Sequence, residues 1–423
     1  MNQLRKLACL LLATTAAAGA AAQVGLPSLP LPPLPSVTDP VTGTLRTAQS
    51  TALAQVRQLR IRELLRTERD TVETDPDGQP ILRRQVGALS PTPEALAGAQ
   101  ALGFTVLRAE SLAGLDLRLV ILQAPEGMST RRALKRLRQL DPEGSYDFNH
   151  LYLDSGARSE PAAMLATVPA SLPEVPAPSP AVRIGLVDSG VDVAHPALAG
   201  AAIQRQGCDG VSMPAAHGTA VASLLIGRDG EFRGVHPGAA LYAADIFCGH
   251  GGGSFALLAL ALDWMAREQV PVVNISLVGA KSVLLTGIVR AMSRRGHLLV
   301  AAVGNDGPSA PPLFPAAYPE VVGVTGVDDE RRVLPEACRG EHVDFAAQGA
   351  GVRAALVGGG FGEQRGTSFA TPIVAGLLAG SLPQPDPAQA QAALADLGAR
   401  AVDLGRKGTD TTYGRGLVGV DLP

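Results

Sequence analysis

From Val182 onward the chain alternates short, almost wholly apolar runs with stretches whose apolar residues recur at helical spacing. The runs are VRIGLV, AALYAADIF, VPVVNIS, HLLVAAV and VVGVTGV, and helical patterns fall near Ala220–Leu225, Phe255–Ala266 and Val283–Arg294. Strands that are apolar on both faces, interleaved with helices, predict an α/β domain with a parallel sheet covered on both sides, over 182–423. Upstream the grammar differs. Over 91–155, a helical run around Pro93–Leu102 leads into the apolar FTVLR, and LDLRLVILQ then alternates as a strand. STRRALKRLRQL carries Ala133, Leu134, Leu137 and Leu140 on one helical face, and NHLYL reads as a short last strand. Helices among a few strands predict a small α+β unit. Within 48–90, Leu53, Val56, Leu59 and Leu64 recur between arginines as the apolar stripe of an amphipathic helix.

Two proline-rich stretches, 23–47 and 156–181, punctuate this pattern and read as linkers. The first 22 residues combine Arg5 and Lys6, an apolar run from Leu7 to about Ala18, and small residues before Gln23. That is the pattern of an export signal, too short to span a bilayer. It predicts a periplasmic, cell-surface or extracellular destination and no transmembrane segment. With 36 basic and 39 acidic residues, net charge -3, the chain offers no electrostatic case for nucleic acid. Its composition, 46% apolar and 18% charged, is that of a globular chain with a sizeable core.

Three motifs carry candidate chemistry at strand ends and helix starts, where parallel sheets assemble their sites. IGLVDSGVD ends an apolar run on Asp188; AAHGTAVASLLIG sets His217 at the head of an apolar helix; RGTSFATP sets Ser368 at the head of another. Each alone is also what a turn or a helix cap predicts. Together they supply a hydroxyl nucleophile, a base to take its proton and a carboxylate to orient that base. VAAVGNDG adds Asn305, whose side-chain amide is a candidate donor to a developing oxyanion.

The order Asp188, His217, Asn305, Ser368, in the settings DSG, HGT, GND and GTSFATP, closely resembles the subtilisin-like (subtilase) serine peptidases. The resemblance runs from about Val182 to Val420. It implies a secreted endopeptidase working through an acyl-enzyme. In that reading Asp188, His217 and Ser368 form the triad, and Asn305 with the backbone of Ser368 forms the oxyanion hole. GHGGGS (Gly251, Gly252) and VVNISL (Ser276, Leu277) resemble the edges that hold substrate. The chain departs from the family at Ala220, where relatives usually carry a second histidine, and at AAQGAG in place of APG. By the same resemblance, 91–155 would be a propeptide, the chain's own inhibitor and folding aid, and the enzyme a self-processing zymogen acting on polypeptides. Its end would fall after NHLYL or within the second linker.

A bridge between Cys208 and Cys248, which flank His217 in sequence, would brace one wall of the cleft; the alternative leaves both as thiols. Cys338 would stay unpaired. No metal or cofactor is expected in the chemistry. Structural calcium occurs in the family, but Asp328–Asp329 reads better as a solvated turn than as a ligand set. The rival class is a non-catalytic secreted scaffold that uses the same fold for binding. A serine esterase of the α/β-hydrolase kind is excluded by the absence of G-x-S-x-G and by the order of the motifs.

Overall fold

The computed structural model describes residues 56–155 and 182–420; the signal segment, both proline-rich linkers and Leu53 lie outside them. The described chain begins with helix α1 over 56–67. It continues through β1 (Val72–Thr74), β2 (Pro80–Leu89), α2 (Pro93–Ala101), β3 (Thr105–Leu112), β4 (Leu117–Gln123), α3 (Thr130–Leu140) and β5 (Ser145–Asp154). After the second linker come β6 (Arg183–Asp188), β7 (Ile203–Gln206), α4 (Ala216–Ile226) and the hairpin β8 (Arg228–Asp229) with β9 (Phe232–Arg233). Then follow β10 (Ala240–Asp245), β11 (Gly253–Ser254), α5 (Phe255–Arg267), β12 (Val272–Ile275), β13 (Leu277–Val278), α6 (Val283–Arg294), β14 (Leu298–Ala302) and β15 (Val321–Val327). The chain closes with β16 (Phe345–Gln348), the hairpin β17 (Val352–Ala355) with β18 (Phe361–Gln364), α7 (Thr367–Ser381) and α8 (Pro387–Arg400).

Seven strands form one sheet in the order β16-β15-β14-β12-β6-β10-β7, and every pairing in it is parallel. Side-chain alternation sends Val187, Val273, Ile275, Leu299 and Ala301 to one face, where α5 and α6 cover them. Ile184, Leu186, Val272, Leu298 and Val300 go to the other, beneath α4, α7 and α8. Both faces are dry, which is why the strand sequences read as unbroken apolar runs.

The second sheet is antiparallel and belongs to both halves of the chain. Its spine is β11-β5-β2-β4-β3, with β1 on β2 and β13 on β5. One face packs under α2 and α3 through Val86, Val120, Leu122, Ala133, Leu134 and Leu137. The opposite face lies on α5 and α6, joining Leu119 and Ile121 to Phe255, Leu284 and Ile288. The approach is close: a Cβ on Gly87 would stand 2.6 Å from Leu284 Cδ1. Side chains of β5 also serve the two covering helices at their starts. Asn149 Oδ1 accepts from the N–H of Ala256 at 3.3 Å and Asp147 Oδ2 from that of Val283 at 3.0 Å, satisfying first-turn donors that a helix leaves open.

Two details depart from the sequence pattern. The sheet does not begin at 91: β2, within 80–89, lies between β4 and β5. Arg83, Arg84 and Gln85 interrupt its alternation because the register shifts between Ile81 and Val86, and Arg84 takes φ 60° there. In α1 the buried face is Arg57, Ile61 and Leu64, at i, i+4 and i+7, while Val56 and Leu59 are 49% and 57% exposed. A buried arginine standing on the inner stripe shifted the apparent apolar face.

Candidate active site

Asp188 is the last residue of β6, His217 sits in the first turn of α4, Ser368 in the first turn of α7, and Asn305 follows β14 across Gly304. All four occupy the carboxyl ends of parallel strands or the helix starts beside them. Asp188 Oδ1 accepts from the N–H of Ser189 at 2.7 Å and, with Oδ2, from His217 Nδ1 at 2.8 and 3.0 Å. That bond leaves the lone pair of a neutral imidazole on Nε2, which is buried and has no hydrogen-bond partner among the described residues. Burial pushes the His217 pKa down, but the charge and hydrogen bond of Asp188 outweigh it and hold it above the ordinary value. Asp154 adds to the rise and Arg60 opposes it. The turn tolerates no side chain at Gly218, where a Cβ would lie 2.1 Å from the carbonyl oxygen of Ser189. Phe369 places its ring 5.4 Å from the imidazole, tying the heads of α4 and α7 together.

Ser368 is fully buried. Pro372 has no N–H to give the Ser368 carbonyl its helical bond, and that carbonyl instead accepts from the hydroxyl of Ser276 at 3.2 Å. Asn305 is oriented by its neighbour: Oδ1 accepts from the N–H of Thr367 at 3.2 Å, which leaves Nδ2 to donate elsewhere. Gly366, at φ 138°, leaves room for that amide, since a Cβ there would stand 3.1 Å from Nδ2.

The space between these groups is filled by the end of β5. Its register is Leu151 on Ser254, Tyr152 on Gly253, Leu153 on Val278 and Asp154 on Leu277. The N–H of Ser155 donates to the Ser276 carbonyl at 3.3 Å. Asn305 Nδ2 donates to the Ser155 carbonyl oxygen, and the Ser155 hydroxyl is hydrogen-bonded to that of Ser368. Of the residues the sequence offered as substrate edges, Ser276 and Leu277 contact this strand directly. On the glycine side the ladder runs through Gly253 and Ser254; Gly252 lies against Leu151 and Tyr152, and Gly251 faces Leu64 of α1. The polar groups over the strand are residues that periodicity alone did not single out. Arg60 pairs with Asp154 at 3.1 Å, and the buried Arg57 lies 3.6 Å from Asp306, next to Asn305. Arginines at helical i and i+3 positions facing a buried stripe are the only signal that marks them.

Cys208 and Cys248 are bonded to each other, 40 residues apart in sequence. Asp245 stands beside this bridge. With both sulfurs tied together, the group Cys208, Asp245 and Cys248 presents no thiolate to a metal. Burial and the nearby Asp188 raise the Asp245 pKa. Cys338 is a free buried thiol whose pKa burial pushes up to about 12. Asp328 pairs with Arg332 at 2.9 Å and Asp329 accepts from Gln348 at 2.6 Å, so both are satisfied within the protein.

Comparison with known proteins agrees with this geometry. The chain is 33% identical over 206 residues to the minor extracellular protease Epr of Bacillus subtilis, covering 48% of this chain and 32% of that one. It is 31% identical over 250 residues to a subtilisin of Bacillus pumilus, covering 56% and 89%. The solved structure of fervidolysin from Fervidobacterium pennivorans superposes with a TM-score of 0.66 at 21% identity, over 82% of this chain and 61% of that one. The chain thus spans about a third of Epr's length. No helix among the described residues is long and apolar enough to cross a membrane. The model of the Subtilase family, peptidase S8, matches residues 179–416, and the chain belongs to that family.

Proposed function

We propose that the chain is an exported serine endopeptidase made as a self-processing zymogen. The observation that carries this reading is the state of His217: Nδ1 is tied to Asp188, and Nε2 is buried and unpartnered at the helix start that faces Ser368. In the proposed reaction Ser368 Oγ attacks a peptide carbonyl carbon while its proton passes to His217 Nε2. Asp188 keeps the imidazole in the required tautomer and steadies the imidazolium. The oxyanion is held by Asn305 Nδ2 and the N–H of Ser368, which its place in the first turn of α7 leaves without a helical partner. Collapse breaks the C–N bond, and the amine leaves with the proton from His217. Water, giving its proton to the same nitrogen, then hydrolyses the ester and restores the hydroxyl. The scheme uses side chains and backbone alone, without metal or organic cofactor.

Its substrates would be polypeptides held as a strand between the Gly253–Ser254 and Leu277–Val278 edges. The unit ending at Ser155 would be the propeptide, an internal inhibitor and folding aid, because it takes up both edges and caps α5 and α6. Export is supported by the amino-terminal pattern and by the extracellular character that Epr's name records. The test is casein hydrolysis by the processed protein against its Ser368→Ala variant. Wild type should cleave and the variant should lose about 10⁶ in turnover. A folded wild type that neither cleaves casein nor reacts with a fluorophosphonate would favour the binding scaffold.

A further inference from the structure

We infer that Arg365 and Glu336 are positioning residues for the proposed reaction. Their ion pair fixes the two oxyanion donors, the Asn305 amide and the Ser368 N–H, relative to each other. The inference rests on the serine-peptidase reading above and adds two residues that neither the motifs nor the triad geometry single out.

The two donors stand on different segments. Asn305 lies in the turn after β14, and Ser368 in the first turn of α7. Each is reached through a glycine of positive φ, Gly304 at 101° and Gly366 at 138°, a conformation the local backbone holds only weakly. Contacts from outside must therefore set where the donors sit.

A third segment, 336–338, frames both. The N–H of Cys338 donates to the Gly304 carbonyl at 3.0 Å, and the N–H of Gly307 donates to the Glu336 carbonyl at 2.8 Å. Asn305 and Asp306 are held between these two bonds. The carboxylate of the same Glu336 takes both prongs of Arg365, with Nε 2.7 Å from Oε1 and Nη2 2.9 Å from Oε2. Arg365 stands three residues before Ser368. The backbone of Glu336 thus holds one donor's turn while its side chain holds the other's.

Distances decide which link matters most. The direct bonds between the two donor segments run through Thr367. Its N–H donates to Asn305 Oδ1 at 3.2 Å, and its hydroxyl oxygen accepts from the Gly304 N–H at 3.3 Å. Both join neutral groups and are longer than the usual ~2.9–3.0 Å. The Arg365–Glu336 pair is shorter, charge-assisted and two-pronged, so each of its bonds is roughly twice as strong and the fork fixes an angle as well as a distance. Glu336 is 8% exposed, which leaves little water to compete for its carboxylate. Arg365 keeps 48% of its side chain exposed, so the pair adds little to overall stability. Its contribution is to geometry, since the donors must stand ~2.7–3.1 Å from the oxyanion to stabilise it.

The experiment is steady-state kinetics of the processed protein on a peptide ester. Arg365→Gln should lower kcat about tenfold and leave KM within about twofold, because a displacement of ~1 Å is enough for such a loss. Arg365→Lys, which keeps the charge without the fork, should fall between Arg365→Gln and wild type. The deciding readout is Arg365→Gln made on Asn305→Ala. With one donor gone, the distance between donors has no effect, so the same substitution should cost less than about threefold there. Equal losses in the two backgrounds, a loss confined to KM, or an unchanged kcat would each overturn the inference. So would a loss of kcat that tracks a large fall in the thermal midpoint and recovers at a lower assay temperature. If Arg365→Gln does not fold, Glu336→Gln, which keeps the shape but removes the charge, is measured in the same two backgrounds with the same expectation. An active wild type with additive variants sinks this inference alone. A wild type that neither turns over the ester nor reacts with a fluorophosphonate sinks the peptidase reading, and this inference with it.

Discussion

The side-chain amide of Asn305 donates to the backbone carbonyl of Ser155, 150 residues earlier in the chain. The same amide is aimed by Thr367, whose N–H holds Oδ1. One residue thus links the end of the small sheet, the end of β14 and the head of α7. Removing the donor by Asn305→Ala should lower turnover by about 10²–10³, or ~2.7–4 kcal/mol of transition-state stabilisation. Substrate binding should change little if the Gly253–Ser254 and Leu277–Val278 edges pair with the substrate backbone as proposed, because both remain. Steady-state kinetics on a peptide ester separates the two effects; a fall confined to KM would contradict the assigned role.

His217 should govern the acid side of the pH profile. Its pKa is held above the ordinary value against burial by Asp188, so activity that needs the neutral ring should be lost as pH falls through a midpoint above about 6.5. For stability the sign is opposite. The raised pKa contributes stability that is full below about 6.5 and lost as pH rises through the folded value. Asp188→Asn should shift the activity midpoint downward and cost about 10⁴ in turnover by losing the tautomer. A pH series of kcat/KM on both proteins, with imidazole titration by NMR, measures this; an unmoved midpoint counts against the pairing.

Arg57 and Asp306 form an ion pair with side-chain exposures of 6% and 17%. Burial lowers the Arg57 pKa and raises that of Asp306, each opposed by the partner's charge. Arg57→Met should remove the larger of the two charges that favour ionised Asp306, leaving Arg60, and destabilise the chain by up to about 3–5 kcal/mol. The double variant with Asp306→Leu should recover most of that loss. Denaturant unfolding of the Ser368→Ala background reads both without interference from processing, and additive losses would show that the pair is not coupled.

The Cys208–Cys248 bridge closes a loop over 40 residues that contains the head of α4. Replacing both cysteines by serine should cost roughly 2–4 kcal/mol, chiefly by freeing the unfolded chain. The effect should appear in the midpoint of thermal unfolding. A reductant that shifts wild type but not the double variant would tie the loss to this bridge, since the buried Cys338 thiol stays protonated well above neutral pH.

Much of this architecture was written in the local pattern. Short apolar runs rich in β-branched residues and bounded by turn residues suit strands covered on both faces, which is why β6, β10, β12, β14 and β15 were legible one at a time. Asp188, His217, Asn305 and Ser368 each read locally as no more than a turn or helix start; their order along the chain, and the resemblance it carries, set them apart. The helical face of α1 is not legible locally, since Arg57 is buried against a partner, Asp306, that no local window contains. The start of the small sheet is hidden by a register shift between Ile81 and Val86 that breaks the alternation of β2.

What the sequence could not determine is the meeting of Ser155 with Ser368, 213 residues away. Nothing in LYLDS by itself distinguishes an ordinary edge strand from one clamped into a cleft. Only the tertiary structure decided it, through two ladders whose partners come from β11 and β13. Backbone hydrogen bonding is blind to sequence, so its register is set by which side chains can be buried at the far side. Tyr152 on Gly279 is that choice, and the position of the Ser155 carbonyl follows from it.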